Sequence, residues 1–457
     1  MTTARATRIF VISDLHLGGT PPAMMSFAGI LAGFIRGLPD RAGHDEDIVL
    51  VLAGDVVDFL AIELDGQAEA FTSDPDRAVE KLDLAVQRAA PVFAALRDHV
   101  AARHGLTILV GNHDIELALP AVQHALLRHL RCRPDAVHFV DDGRAWRFGP
   151  VLIEHGNRYD DANLNDWLAL REIASCQSRG ESEYPELVPS FGSQLVVETI
   201  NKYKKTFKFI DTLQPEGPLV AYLIAAFEPG LVRRLPALLQ VWRGQARAAR
   251  NALGQAPRRR AARSVLPDQT LDTSRLDELF GVGRRHRGPN GTVFREMMLR
   301  PTDHSLTYYI EENLPIPEWR LTLVQETLRE MSWADRSLDP GSACGPQGAA
   351  AERLRRDTGA RVIVMGHTHQ ARRYPLDTPL AEYINTGTWA DLVRIPNEAL
   401  ATTDAGRADL EQWLRDLHAD RVRALVPTWA ELRVEAHGAL TFAELKREPR
   451  VVRARQD

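Results

Sequence analysis

Five short blocks of metal-binding residue types recur along the chain: Asp14-Leu15-His16, Gly54-Asp55-Val56-Val57-Asp58, Gly111-Asn112-His113-Asp114, His155-Gly156 and Gly366-His367-Thr368-His369. Carboxylate and amide oxygens mixed with imidazoles suit Mn, Fe or Zn better than the all-oxygen cages of Mg or Ca. Asp-x-His and His-x-His each put two ligands on one side of an extended segment, because alternate side chains share a face. An Asp between two ions can bridge them, and about seven such ligands suffice for a pair of cations with positions left for water and substrate. The glycines before Asp55, Asn112 and His367 permit sharp turns and close backbone approach. Each fragment also has a plain structural reading: Asp14 as a turn residue, His155 as a satisfied histidine, Asp58 as a helix cap.

What joins the blocks is their place after strands. The runs at 8–13, 47–54, 106–111, 150–156, 361–366 and 381–387 are rich in Val, Ile and Leu and bounded by turn residues, as expected of strands covered on both faces. Parallel strands deliver their C-terminal loops to one edge of a sheet, so ligands at successive strand ends converge. A helical stretch is expected from Pro75 to His104, another near Ala408 to Ala419, and a closing hairpin from 425–435 and 439–448 around His437-Gly438.

The segment 157–360 has a different texture, rich in helix formers and in Pro and Gly breaks, and reads as a mainly helical insertion or cap within a discontinuous domain of 1–156 and 361–457. Val196, Ile200, Tyr203, Phe207 and Ile210 step by four, three, four and three, the spacing of one apolar helical stripe. Residues 229–263 hold nine arginines and no acidic residue. That stretch is either a contact for anionic lipid or nucleic acid, or a solvated face paired with acids of the sheet domain.

With 457 residues, 44% apolar and 26% charged, wholesale disorder is excluded. A formal charge of −5, from 56 basic and 61 acidic side chains, gives by itself no reason to expect a nucleic-acid or membrane-surface protein. Three cysteines are too few and too scattered for a disulfide framework or a cysteine-rich zinc site. No apolar run reaches the roughly 20 residues needed to span a bilayer. The expectation is a soluble cytoplasmic protein, peripheral to a membrane if 229–263 binds lipid.

Taken together the blocks resemble those of the calcineurin-like metallophosphoesterases: D-x-H, GD-x-x-D, GNH-[DE], a strand-end H and G-H-x-H, all present and in order. The resemblance implies a four-layer α/β/β/α sandwich with a dinuclear metal centre on one rim. It implies that Asp14, His16 and His369 hold one metal, that Asn112, His155 and His367 hold the other, and that Asp55 bridges. The stretches 154–167 and 384–389 look closer to a bacterial branch that includes the UDP-2,3-diacylglucosamine pyrophosphohydrolases, from which the long insertion departs. Phe59 stands where the protein-phosphatase branch has its phosphate-clamping arginine.

The expected activity is hydrolysis of a phosphate ester by in-line attack of a metal-bound hydroxide. His113 would stabilise the transition state or protonate the leaving group, with Asp58 or Asp114 orienting it. Arg158, three residues after His155, is either the phosphate contact that Phe59 cannot provide or a surface arginine. Three readings stay open: a phosphoesterase for a small or lipid-linked phosphate, a nuclease or nucleotide phosphodiesterase using 229–263, and a non-catalytic scaffold.

Overall fold

The computed structural model describes residues 5–213, 305–334, 345–378 and 380–448, with the short pieces 223–224, 226–228 and 452–453. The arginine-rich stretch 229–263 lies outside the described residues.

Two sheets carry the motif strands. The first has the order β12-β11-β1-β2-β3-β4, formed by Leu440–Arg447, Thr428–Val434, Ala6–Ile12, Glu46–Ala53, Gly105–Leu109 and Val137–Val140. β1, β2, β3 and β4 run parallel, with Ile9 opposite Val49, Val51 opposite Thr107 and Ile108 opposite Phe139. β11 joins β1 antiparallel and turns into β12 through Gly438, so the expected hairpin is present. The second sheet has the order β5-β6-β7-β9-β8, formed by Trp146–Phe148, Val151–Ile153, Val362–Met365, Glu382–Asn385 and Arg372–Pro375, with β6, β7 and β9 parallel. A separate short ribbon pairs β10, Ala424–Leu425, with β13, Val452–Arg453.

Alternation along the strands sorts the apolar side chains into separate cores. Ile9, Val11, Val51, Ala53 and Leu109 of the first sheet cluster with Val151, Ile153, Val362, Val364 and Ile384 of the second. Their neighbours Phe10, Ile12, Leu50, Leu52 and Ile108 face the other way, against the helices Ala28–Arg36, Pro75–Arg88, Ala90–Ala101 and Pro120–Leu130. Leu152, Ile363, Met365 and Tyr383 pack on the helix Gly345–Thr358. A further core joins Phe207, Phe209, Phe227 and Leu321 to Leu410, Trp413 and Leu414 of the helix Asp404–His418, so described parts of 157–360 dock on that helix.

Two expected helices differ in detail. The stretch 75–104 divides into two helices at Ala89. Pro91 has no N–H to donate to the carbonyl of Gln87 and its ring crowds that carbonyl, which ends the first helix. Its start is fixed by Asp74, whose carboxylate accepts from the N–H groups of Asp76 and Arg77 at 2.9 and 3.3 Å. The stripe at 196–210 is not one helix: Val196–Ile200 is a π-helical piece, the helix stops at Lys204, and Phe207 and Ile210 reach the core from turns.

Candidate metal centre

The chain turns sharply where the motif strands end. Asp14 and His16 after β1, Asp55 after β2, and His367 and His369 after β7 all lie at positive φ, between 45° and 69°. That region disfavours any residue with a Cβ by about 1–2 kcal/mol and persists only where the surroundings over-determine it. Here the constraint is hydrogen bonding between loops. Asp14 N–H donates to Gly54 O at 3.1 Å, His16 N–H to Asp55 O at 3.0 Å, and His367 N–H to the two Asp14 oxygens at 3.1 and 3.0 Å. A Cβ on Gly366 would collide with Ser13 Oγ and the Asp14 carboxylate, and one on Gly111 with the Asp55 carboxylate.

Three groups of donors result: Asp14, His16 and His369; His16, Asp58 and His113; Asp55, His155 and His367. Within the first, His16 Nε2 stands 3.1 Å from His369 Nε2, which is 3.4 Å from Asp14 Oδ1. In the third, His155 Nε2 is 3.2 Å from Asp55 Oδ2 and 3.2 Å from Asn112 Oδ1, which brings Asn112 to the same point. Donors sharing one cation about 2.1 Å away stand roughly 3.0–3.4 Å apart, so these spacings fit common ions. Two imidazole nitrogens at this distance can share either a proton or a cation, and buried His16 Nδ1 has no hydrogen-bond partner among the described residues. His155 Nδ1 meets Ala53 O at 2.8 Å, the outer contact that orients a ligating imidazole.

The electrostatics of His16 and Asp55 match that reading, whereas His155 beside Asp55 holds a proton that a bound cation would have to displace. Burial, with the neighbouring His113 and His369, lowers His16 to about 4, so its imidazole is neutral and keeps a lone pair. Burial works against charge on His155, but Asp55 outweighs it and lifts the group to about 9. Burial likewise opposes ionisation of Asp55, yet the surrounding histidines hold it well below the usual carboxylate range.

His113 lies beside this cluster, its ring 4.7 Å from that of His16. Its Nδ1 meets Asp58 Oδ1 at 3.1 Å, and Asp58, although it precedes the 3₁₀ turn Phe59–Ala61, makes no capping bond to it. Burial disfavours the imidazolium, but Asp55 and the bond to Asp58 prevail and raise the pKa. Asp114 is not on His113: its buried carboxylate accepts from Val56 N–H and Gly111 N–H, both at 2.6 Å, and so ties the two loops together. Arg158 points elsewhere too, 3.4 Å from Gly143 O and 3.8 Å from Glu154.

Residues not expected from the sequence complete the surroundings. Asp160 Oδ2 lies 3.1 Å from His367 Nε2 and also accepts from Asn163 Nδ2 at 2.7 Å, while Asn163 Oδ1 accepts from Asn112 Nδ2 at 3.4 Å. Asn165 Nδ2 donates to Gly111 O at 2.8 Å. The only available signal was the density of Asp and Asn just after His155. Thr388 Oγ1 and Trp389 N–H both donate to Asp14 O, at 2.7 and 3.2 Å.

A rim of converging carboxylates, an amide and imidazoles defines the class of a metal-binding hydrolytic site. Residues 7–216 match the family model described as calcineurin-like phosphoesterase. That family implies a metal-dependent hydrolase acting on phosphate esters. The match runs past Gly156 into the segment read as an insertion, and the G-H-x-H block, which lies beyond it, is delivered by β7. No curated protein matches the chain. Among the described residues no helix is long and apolar enough to cross a membrane.

Proposed function

We propose that the chain is a dinuclear-metal phosphoesterase acting on a phosphorylated small molecule or lipid-linked substrate. The observation that carries this is the side-by-side pair of donor groups, Asp14/His16/His369 and Asp55/His155/His367, at converging strand ends. We assign one cation to Asp14, His16 and His369, the other to Asn112, His155 and His367, and a bridging role to Asp55. The mixed N and O donors favour Mn, Fe or Zn. When bound, the ions supply an activated water at neutral pH and offset phosphoryl charge. Asp58 takes Nδ1 of His113, so that proton exchange with the leaving oxygen runs through Nε2.

The helix-covered sheets and their shared core support the four-layer α/β/β/α reading, with 157–360 inserted between the motif-bearing segments. In this reading the part near 160–165 supports the ligands and the remainder caps the rim, in a cytoplasmic protein. The test is an assay of metal-reconstituted protein on phosphomonoesters, phosphodiesters and nucleotide-lipid diphosphates, with metal content measured in parallel. Hydrolysis that tracks two bound metals is expected. Two bound metals without activity on any substrate would return the scaffold reading.

A further inference from the structure

Two cavities adjoin the metal centre on the side of His369. The nearer, about 80 Å³, is lined by His369, Thr388, Arg394 and Arg447 among others. The second, about 540 Å³, shares Leu392, Arg394, Val426 and Arg447 with it and continues over Ile395 and Trp413. They form one groove, cationic beside His369 and mixed beyond, where Ile395, Pro396 and Val422 lie among Glu398, Asp409 and Asp416.

Neither the Arg394 nor the Arg447 side chain has a hydrogen-bond or ion-pair partner among the described residues. Nearby arginines do: Arg415 pairs with Glu411 at 2.6 Å, Arg421 with Asp416 at 3.1 Å and Arg423 with Asp420 at 2.6 Å. The larger cavity contains carboxylates, Glu398, Asp409 and Asp416, but the smaller one contains none. Both side chains are exposed at the mouth of this small cavity, where the two guanidinium groups repel each other; partial desolvation there and the charge of Arg447 together weaken Arg394's hold on its proton. An anion between them would relieve both effects, and guanidinium forks suit phosphate oxygens. The apolar part is rigid: Leu392 and Ala424 exchange backbone hydrogen bonds at 2.7 and 2.9 Å, and Val393 N–H donates to Thr212 O at 2.8 Å.

We infer that Arg394 and Arg447 bind a second phosphoryl group of the substrate and that the trough over Leu392, Ile395 and Trp413 takes its nonpolar portion. This rests on the phosphoesterase reading and narrows its substrate class to compounds with two phosphoryl groups and an apolar chain or ring.

The test is calorimetric binding of octyl methylenediphosphonate and of octylphosphonate to metal-loaded, full-length protein. Wild type should prefer the diphosphonate, and Arg394→Gln and Arg447→Gln should each erode that preference about tenfold, with Lys at either position restoring part of it. The bound ions contact both probes, so the arginine dependence of the ratio reports the second site alone. Replacing octyl by methyl should weaken wild-type binding at least about tenfold. An unchanged ratio in both Gln variants, or no loss with the methyl probe, overturns the inference. Hydrolysis of 4-nitrophenyl phosphate together with an unchanged ratio leaves the phosphoesterase reading standing and removes only this one. An arginine-dependent ratio in a protein that hydrolyses no ester supports the subsite and removes the phosphoesterase reading.

Discussion

Arg423 and Asp391 sit 3.2 Å apart, 3% and 1% exposed, where several segments that support the site meet. Arg423 also donates to Asp420 and Ala23 O, both at 2.6 Å, and to Lys208 O at 2.9 Å. Asp391 accepts from Ser26 N–H at 3.1 Å and from the Ser26 hydroxyl. Arg423→Met keeps much of the volume but leaves Asp391 as a buried carboxylate without its cation. Removing one partner of a buried pair costs about 3–5 kcal/mol. The two bonds from Ser26 offset part of this, while the stranded carbonyls of Ala23 and Lys208 add to it, so about 3–5 kcal/mol stands as the expected loss. Burial already pushes the Asp391 carboxyl up, and without Arg423 it should rise further. Asp391→Asn in the same protein removes the unpaired charge and should recover at least about 1–2 kcal/mol. Urea unfolding followed by tryptophan fluorescence measures both, and metal content in native buffer should fall in the single variant, since Thr388 and Trp389 anchor Asp14 just upstream. A single variant within about 1 kcal/mol of wild type, or a double variant no more stable than the single, would refute the argument.

His113→Gln should lower kcat about 10²–10⁴-fold while metal stoichiometry stays near that of wild type, checked by elemental analysis beside the assay. Gly366→Ala places a Cβ against Ser13 Oγ and the Asp14 carboxylate, so metal content and thermal stability should fall together; a fully loaded variant with the wild-type melting temperature would contradict that packing. Asp160→Asn should weaken metal binding about 10–100-fold, as loss of an outer-shell partner does, and titration against a competing chelator reads this without any turnover. His99 is buried, bonds Gly105 O at 3.0 Å and is lowered by burial from 6.5 to about 4. Below pH 6.5 the unfolded chain therefore binds the extra proton, and stability should fall by up to about 3 kcal/mol as pH drops toward 4, a slope that His99→Gln should flatten.

The strands that carry ligands were legible because continuous Val, Ile and Leu runs ended at Gly, Asp or His. β5 and β8 were not, since Trp-Arg-Phe and Arg-Arg-Tyr-Pro are short edge segments paired on one side only within their sheet. The helix Ala28–Arg36 was hidden by two glycines and a start at Phe27 with no side-chain cap. Within the site, residue chemistry pointed to the donors, but direction did not follow from spacing. Arg158 is close to His155 in sequence and turns toward Glu154, whereas Asp160 reaches His367 across 207 positions, through pairing of β6 with β7. Arg394 and Arg447 belong to no local motif; only the meeting of the segment after β9 with the end of β12 makes them neighbours.

Of the ten non-glycine residues at positive φ among the described residues, five are donors of the proposed metal centre. Glycine would remove the local strain at each of these positions, but glycine has no ligand atom. The chain divides the two demands between neighbours: Gly54 and Gly366 admit the close approach, and Asp55 and His367 beside them keep the donor and carry the left-handed turn. Strain of this kind persists only if breaking it also breaks something else, and here the same loop amides that hold the turns donate to Asp14 or to the backbone of the adjoining strand end. The donors are therefore held in place by the sheet rather than by the ions, which favours a site organised before metal binding. Asp58 and His113 carry no such turn and are placed by backbone bonds instead, Asp58 N–H to Leu17 O at 3.0 Å, Phe59 N–H to His113 O at 3.2 Å and His113 N–H to Asp55 Oδ1 at 2.8 Å, so that the contact of His113 Nδ1 with Asp58 sets the orientation of the imidazole rather than the position of the loops.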